Sequence, residues 1–345
     1  MDDSKRELKA VVVGCGGISR AWMEPAKKIP GLAVAGYVDI NPAAAQKLAV
    51  EYGPPGAPTG ADLAEMLDRV RPDIVFNCTI PEAHAEVTVT ALKAGCHVLE
   101  EKPLADTMDN ARLMVTEAKK AGKLFAVIQN RRYDKRIRRL RRFLESGVMG
   151  RIGTVHCDFI IGAHFGGFRD RMAHVLLLDM AIHTFDAARF LMGSDPKAVI
   201  CREFNPAGSW YDRDASAIAT FDMADGCVYA YRGSWCAEGL NSTWECDWRF
   251  IGETGSVKWN GGDEFKAQVV ADRGGFHSKW KDIEIPPALP DDKDGGHFGL
   301  ISEFVSCVRN GGTPETTGED NIKSLAMVLS AIESAGKGSV VDIKW

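Results

Sequence analysis

The sequence predicts an α/β fold whose first half is a doubly wound parallel sheet. The run Ala10–Val13 is continuously apolar, which is typical of a parallel strand buried on both faces. Strand-like and helix-like segments then alternate as far as Ile128, as they do in doubly wound sheets. A chain of 345 residues also exceeds one typical core. We therefore expect a first domain at 1–128 and a second at 129–345.

The first strand, Leu8–Val13, leads into a glycine-rich turn and then into a helical stretch. The turn has the pattern Gly-x-Gly-x-x-Ser, a near match to the dinucleotide fingerprint. Gly14 permits the tight turn, and Gly16 lets the backbone approach a pyrophosphate held by the helix N-terminus. Ser19 replaces the third glycine but is still small enough for helix–strand packing. The expected cofactor contacts here are Gly14, Gly16, Gly17, Ile18 and Ser19.

The second strand, Leu32–Val38, ends in Asp39, 20 residues beyond Ser19. A carboxylate at this distance typically meets the ribose 2′-hydroxyl of NAD and would repel the extra phosphate of NADP. No Arg or Lys immediately follows Asp39. The sequence therefore favours NAD over NADP, although a strand–helix turn without any ligand is the alternative for a lone glycine motif.

The alternation continues through the rest of the first domain. The expected elements are a helix at Asp62–Val70, a strand at Asp73–Thr79, a helix at Ala83–Ala94, a strand at His97–Leu99, a helix at Met108–Ala121 and a strand at Leu124–Ile128. Ligands bind beyond the carboxyl ends of such strands. Thr79–Pro81, Glu101–Lys102 and Gln129–Arg131 follow three of those ends, so we interpret them together.

An acid/base pair is predicted at Asp179 and His183, which are four residues apart in a helical pattern and so share one face. An imidazole with a pKa near ~6.5 can take and return a proton at neutral pH, and a carboxylate can orient it. Lys102, followed by Pro103, could donate hydrogen bonds to the reacting oxygen. The alternatives are a surface Asp/His pair and a surface lysine.

Composition excludes several other classes. The net charge of −5 argues against a nucleic-acid or membrane-surface role for the whole chain. The basic helix expected at 135–144 has apolar residues at helical spacing, so its arginines should form a solvated face. No apolar stretch reaches the ~18 residues of a membrane span, and the charged N-terminus does not look like a signal peptide. Nine cysteines without a Cys-x-x-Cys pair favour reduced thiols in a cytoplasmic enzyme over disulfides or a metal site.

Taken together, these segments resemble the glucose–fructose oxidoreductase / inositol dehydrogenase / rhizopine catabolism (Gfo/Idh/MocA) family. The resemblance covers nearly the whole chain, and its matching pieces are Gly14–Ile18, Thr79–Pro81 with His84, Glu101–Leu104, Asn130–Asp134, Asp179–His183 and Thr317–Asp320. It implies a Rossmann domain followed by an α+β domain with a large, open, mostly antiparallel sheet. That sheet often forms a dimer or tetramer face, so a homo-oligomer is expected.

The resemblance also implies residue roles. Lys102, Asp179 and His183 would be catalytic, with either Lys102 or His183 taking the proton. The further cofactor contacts would be Thr79, Pro81, His84, Glu101 and Lys102. One departure concerns Ala181, which stands where the family usually has glycine, so the identity of the sugar does not transfer.

Substrate contacts are expected on both sides of the domain boundary. Asn130 and Arg131 follow the sixth strand, whereas His164 and Arg169 lie in a glycine-rich loop that could equally be an ordinary mobile loop. With His183 they would provide the polar groups that recognise a polyol.

The sequence therefore predicts an NAD-dependent oxidoreductase that moves a hydride between a sugar, inositol or related polyhydroxy substrate and the nicotinamide. Two alternatives stay open. One is an NAD-dependent glycoside-cleaving enzyme that oxidises its sugar transiently, and the other is a non-catalytic dinucleotide-binding regulator.

Overall fold

The computed structural model describes residues 6–345. The chain forms two compact units. Unit 1 comprises the residues up to Tyr133 together with Asp294–Leu325, and unit 2 comprises Asp134–Lys293 together with Ala326–Trp345. This division differs from the expected single boundary after residue 128.

The secondary structure follows the alternation that the sequence predicts for the first half. The α-helices are α1 (Ser19–Ala26), α2 (Pro42–Tyr52), α3 (Leu63–Val70), α4 (Pro81–Lys93), α5 (Met108–Ala121), α6 (Lys135–Glu145), α7 (Ile182–Met192), α8 (His297–Asn310) and α9 (Gly318–Lys337). The strands of unit 1 are β1 (Leu8–Val13), β2 (Leu32–Val38), β3 (Thr59–Gly60), β4 (Ile74–Asn77), β5 (His97–Glu100) and β6 (Phe125–Val127). The strands of unit 2 are β7 (Ile152–Ile160), β8 (Pro196–Phe204), β9 (Ser216–Met223), β10 (Val228–Ser234), β11 (Asp247–Gly252), β12 (Gly255–Trp259), β13 (Phe265–Asp272), β14 (Lys279–Ile283) and β15 (Val341–Asp342).

Unit 1 is built on a parallel sheet. Its strand order among the described residues is β3-β2-β1-β4-β5-β6, and every neighbouring pair is parallel. The chain direction across the sheet reverses between β1 and β4, which is the switch point where ligands of such sheets bind. The expected doubly wound sheet is therefore confirmed.

Side-chain caps explain where the helices of unit 1 begin. The side chains of Asn41, Asp62 and Thr107 each accept a hydrogen bond from a backbone N–H in the first turn of α2, α3 and α5. Gly122, in the left-handed conformation, ends α5. These signals are local in the sequence, and the expected bounds of α5 agree with the structure.

Residues from far along the chain complete unit 1. The N–H of Val127 donates to Thr316 O at 2.9 Å, and the N–H of Gly296 donates to Tyr133 O at 2.9 Å. The Arg132 guanidinium bonds the Asp320 carboxylate at 2.6 Å. These long-range bonds explain why 294–325 belongs with the first unit.

Unit 2 contains a mixed sheet that is mostly antiparallel, as expected. Its order among the described residues is β14-β13-β12-β11-β7-β10-β9-β8-β15, and only the β7–β10 pair is parallel. On one face Phe185 of α7 packs edge-on against Phe221 and Tyr231, with ring centroids 4.8 and 5.1 Å apart. This aromatic contact anchors α7, the helix that carries His183, on the sheet.

The basic helix α6 is stabilised within unit 2. Its apolar side chains Ile137, Leu140 and Phe143 are buried, as the spacing predicts. The guanidinium groups of Arg138 and Arg141 lie over the Phe190 ring at 4.7 and 4.2 Å. Arg138 and Arg141 are therefore only partly exposed on the expected solvated face, because they stack on a phenylalanine that the sequence does not place beside them.

Candidate active site

The glycine turn between β1 and α1 has the backbone shape that the fingerprint requires. Gly14 has φ +86°, and a Cβ there would lie 2.6 Å from the carbonyl carbon and oxygen of Cys78. A Cβ on Gly16 or Gly17 would meet no described heavy atom within 4 Å. Gly14 is therefore needed for the turn, whereas the space beside Gly16 and Gly17 is open to a ligand.

No side chain caps the backbone N–H groups at the start of α1. Ile18 is the N-cap residue and makes no side-chain cap, so the first N–H groups of α1 remain available to an anion. Ser19 is fully buried, and its hydroxyl donates to Gly16 O at 2.6 Å. The expectation that Ser19 serves packing agrees with this burial.

Asp39 is held rigidly beside the turn. One carboxylate oxygen accepts the N–H of Cys15 at 2.7 Å, and the other accepts the N–H of Asn41 at 2.7 Å. Each oxygen retains acceptor capacity, so the carboxylate can still bind hydroxyl groups. Burial, followed by the charge of Asp39, raises the pKa of the Cys15 thiol to about 12, which makes Cys15 an inert filler.

Lys102 lies at the end of β5, where Glu101 holds its backbone. The Glu101 carboxylate accepts the indole N–H of Trp22 at 2.6 Å through one oxygen and the N–H of Lys102 at 3.1 Å through the other. Glu101 is buried, whereas Lys102 is half-buried. The Lys102–Pro103 peptide bond is cis. Lys102 is therefore fixed at its backbone, and its side chain is not wholly enclosed.

His297 lies beside Lys102, although its sequence context is equally typical of a pocket residue and of an ordinary loop residue. Burial and then the positive charge of Lys102 lower the pKa of His297. Its Nδ1 lies 3.2 Å from the Asn130 amide nitrogen, and its ring meets the edge of Trp22 at 6.5 Å between centroids. The structure therefore brings Lys102, Asn130 and His297 together at the carboxyl edge of the sheet. The only sequence signal for His297 is the Gly295-Gly296 pair before α8.

Thr79, Pro81 and His84 lie at the end of β4 and the start of α4. Pro81 is the first residue of α4, and the Thr79 hydroxyl donates to Asn77 at 2.6 Å. His84 is fully buried, and its ring nitrogens contact Pro103 O at 3.0 Å and Thr79 O at 3.2 Å. Its side chain thus contacts the backbone of the strand ends and is enclosed behind them.

Arg131 lies in the 3₁₀ turn Asn130–Arg132 and is half-buried. The neighbouring Arg132 is buried instead, through its bond to Asp320. Arg131, which the sequence analysis names as a substrate contact, is thus the less buried of the two arginines.

In unit 2 the structure changes the helix that carries Asp179 and His183. Leu176–Ala181 is a π-helix, and α7 begins only at Ile182. The regular helix expected across both residues is therefore wrong at Asp179. Wider turns of this kind are common at functional sites, and residues four apart still lie about one turn apart.

Asp179 is held by Arg169. Arg169 Nε donates to the Asp179 carboxylate at 2.6 Å, with side chains 32% and 14% exposed. The guanidinium also lies over the rings of Phe165 and Phe168 at 5.1 and 4.8 Å. The contact of Arg169 with substrate stays a prediction, and in the structure its guanidinium bonds to Asp179.

His164 lies at the surface of unit 2. Its Nε2 contacts the Glu238 carboxylate at 2.9 Å, and its ring stacks on Trp210 with centroids 3.7 Å apart. Its side chain is 62% exposed, so it can still meet a ligand.

Two features are absent from residues 6–345. No group of three or more His, Cys, Asp or Glu side chains in that range could hold a metal ion. Within the same range no helix is both long and apolar enough to cross a membrane.

Unit 1 thus defines a dinucleotide-binding domain with a lysine at its ligand edge, which is the arrangement of a nicotinamide-dependent oxidoreductase. Residues 8–129 match the family model described as oxidoreductase family, NAD-binding Rossmann fold, and residues 137–258 match the GFO/IDH/MocA C-terminal domain. The chain belongs to the Gfo/Idh/MocA oxidoreductase family.

Individual relatives agree. The D-glucoside 3-dehydrogenase of Escherichia coli (strain K12) is 33% identical over 318 residues, covering 87% of each chain. The 1,5-anhydro-D-fructose reductase of Ensifer adhaerens is 24% identical over 339 residues, covering 96% of this chain and 98% of the relative. An oxidoreductase from Agrobacterium radiobacter, solved in complex with NAD⁺, L-tartaric acid and magnesium, has a TM-score of 0.84 at 22% identity, covering 97% of this chain and 98% of that one.

These comparisons confirm the main expectations from the sequence. The chain is an NAD-binding oxidoreductase that acts on CH–OH groups, as its family and named relatives do. The Rossmann domain and NAD as cofactor are confirmed with it.

Proposed function

We propose that this protein transfers a hydride between a secondary alcohol of a sugar, inositol or related polyhydroxy compound and NAD. The observation that carries the proposal is the shared edge of the unit 1 sheet. There the open glycine turn, the fixed carboxylate of Asp39 and the backbone-anchored Lys102 all follow strand ends.

The residues fit the cofactor. The N–H groups at the start of α1 would hold the pyrophosphate, the space beside Gly16 and Gly17 would admit it, and Asp39 would accept the ribose hydroxyls. When bound, NAD supplies the hydride acceptor at C4 of its nicotinamide ring. Thr79, Pro81 and Glu101 would line its nicotinamide side, with His84 supporting Thr79 from behind.

Proton transfer is assigned to unit 2. His183 would take the hydroxyl proton, and Asp179, oriented by Arg169, would stabilise the resulting imidazolium. Lys102 would donate a hydrogen bond to the reacting oxygen as negative charge develops on it. In the opposite assignment Lys102 takes the proton, and the activity of His183→Ala distinguishes the two assignments.

Substrate recognition would use Asn130, Arg131 and His164 for hydroxyl groups. The named relative that acts on a D-glucoside makes glycosides part of the same substrate class to be tested. Transient oxidation followed by glycoside cleavage would consume no net NAD, so accumulation of NADH separates it from a dehydrogenase.

The test is NADH absorbance with NAD or NADP and a panel of free sugars, inositols, sugar acids and glycosides. His183→Ala should reduce kcat by about 10²–10⁴-fold while sparing NAD affinity. The matched control is His277→Gln, an exposed histidine of the same unit. Activity of His183→Ala within a few-fold of the wild type would show that another group, Lys102 first, takes the proton.

The regulator alternative makes a separate prediction. Saturable NAD binding without NADH formation from any compound of the panel would support it and overturn the dehydrogenase proposal.

Assembly and location complete the proposal. The wide sheet of unit 2 would form a dimer or tetramer face, which sedimentation can test. All nine cysteines are free thiols, in keeping with the proposed cytoplasmic location.

A further inference from the structure

A buried polar cluster lies in unit 1 behind the strand ends that carry Thr79 and Lys102. Its members Asn77, His84, Thr88 and Glu100 are each 0% exposed. Because no cofactor or substrate atom can reach them, any role in the reaction must act through the backbone that they hold.

His84 faces two acceptors. Its Nδ1 lies 3.0 Å from Pro103 O, and its Nε2 lies 3.2 Å from Thr79 O. A carbonyl oxygen only accepts hydrogen bonds, and a neutral imidazole carries a single N–H. A neutral His84 would therefore set one nitrogen lone pair against a carbonyl oxygen, whereas an imidazolium donates to both.

Glu100 faces donors. One carboxylate oxygen accepts from the Asn77 amide at 3.0 Å and from the Thr88 hydroxyl at 2.6 Å. The other lies 3.7 Å from His84 Nδ1 and has no hydrogen-bond partner among the described residues. A protonated Glu100 could donate its proton only to the Thr88 hydroxyl, which already accepts from the Asn77 amide at 3.1 Å and would lose the hydrogen bond that it donates to Glu100. The hydrogen bonds thus favour a carboxylate.

Burial opposes each charge taken separately. It lowers the pKa of His84 and raises the pKa of Glu100, and the neighbouring Glu101 carboxylate raises the latter further. The backbone carbonyls and the Glu82 carboxylate on α4 favour the imidazolium, while Thr88 and Asn77 favour the carboxylate. Opposite charges 3.7 Å apart then stabilise each other in a region without solvent.

We propose that His84 and Glu100 form a buried imidazolium–carboxylate pair that fixes the Lys102–Pro103 turn to Thr79, so that His84 is a positioning residue for hydride transfer. The two hydrogen bonds of His84 end on the carbonyl oxygens of Pro103 and Thr79, which belong to or flank the proposed nicotinamide contacts. The charge state is a property of the fold alone, whereas its consequence for turnover rests on the proposed function.

Long-range ¹H–¹⁵N NMR of the full chain labelled at histidine tests the charge state. We expect both His84 ring nitrogens to stay protonated from about pH 6 to about pH 9, across the ordinary imidazole pKa of ~6.5. His97 is an internal reference, because its Nδ1 accepts the Leu124 N–H at 3.0 Å and must be unprotonated. One unprotonated nitrogen on His84 within that range would overturn the ion pair.

Substitutions test the assignment of the NMR signals to His84 and the role of Glu100 as its counter-ion. Loss of signals in His84→Gln identifies His84, and single variants of the other histidines do so by elimination if that variant does not fold. Glu100→Gln keeps the size of the side chain but removes its charge, so one His84 nitrogen should lose its proton. An unchanged doubly protonated His84 in Glu100→Gln would exclude Glu100 as the counter-ion.

The positioning role is tested by kinetics. Glu100→Gln should lower kcat by about tenfold because Lys102 is displaced, while Glu86→Gln, an exposed change on α4, the helix that carries His84, should have no effect. A wild-type kcat in Glu100→Gln would overturn the positioning role. If the wild type itself reduces no NAD with any compound of the panel, the proposed function fails, and the NMR result still decides the charge state.

Discussion

The same substitution, glycine to alanine, should have different effects at two positions of the cofactor turn. Gly14 combines φ +86° with a Cβ position 2.6 Å from the backbone of Cys78. Gly16 has no such φ, and its Cβ would meet no described heavy atom within 4 Å. Gly14 thus serves the fold, and Gly16 leaves space for the cofactor.

The cost of Gly14→Ala can be worked from these two features. A left-handed backbone costs an L-residue roughly 1–2 kcal/mol, and overpacking against backbone adds about 1–3 kcal/mol. The free energy of unfolding should fall by about 2–5 kcal/mol, which lowers Tm by roughly 5–15 °C for a unit of this size. Gly16→Ala should stay within about 0.5 kcal/mol of the wild type.

Differential scanning calorimetry and NAD titration calorimetry on both variants provide the assay. Gly16→Ala should keep its Tm but weaken NAD binding by about tenfold or more, since the methyl group would occupy pyrophosphate space. Gly153→Ala, in open space on β7 of unit 2, is the control for both readouts. A wild-type Tm in Gly14→Ala would refute the close-approach argument, and wild-type NAD affinity in Gly16→Ala would refute the ligand argument.

Three further predictions concern charged groups. Asp39→Asn removes the charge that would repel a 2′-phosphate, so the ratio of NADP to NAD affinity should rise by about tenfold; an unchanged ratio in titration calorimetry would contradict the assignment of Asp39. Arg169→Met should lower kcat by about tenfold because Asp179 loses the hydrogen bond from Arg169, whereas Arg171→Met, on the same exposed loop, should not. Equal rates in the two variants would remove Arg169 from the site. The hydrogen bond to Glu203 raises the pKa of His174, so this pair should add stability that is complete below the unfolded pKa of ~6.5 and is lost as pH rises through the folded pKa. Because His174 is partly exposed, the contribution should stay below about 1 kcal/mol. The fall of Tm with rising pH that this pair causes should disappear in Glu203→Gln.

The sequence predicted the first sheet and its ligand edge well because the relevant signals are local. Continuous apolar runs mark β1 and β2, and side-chain caps with Gly122 mark α5. Gly14 and Asp39 could be placed for the same reason, since a tight turn and a strand end are defined by a few neighbouring residues.

The remaining features depend on contacts between distant residues. The assignment of 294–325 to unit 1 follows from bonds such as Arg132 to Asp320, which no periodicity reports. The π-helix at Leu176–Ala181 is only 6 residues long, so the apolar pattern could not report its wider turn. Arg169 could be proposed as a substrate contact from its glycine-rich loop, but not as a partner of Asp179, because the loop conformation determines that contact.

Transfer of deuterium tests the central claim, that a hydride moves from a hydroxyl-bearing carbon to NAD, most directly. The substrate found in the panel would be labelled with deuterium at the carbon that is oxidised, and the NADH formed would be analysed by mass spectrometry. We predict NADH that carries one deuterium from the substrate and a ketone that has lost it. NADH without deuterium would show that the hydride does not come from that carbon and would contradict the proposed reaction.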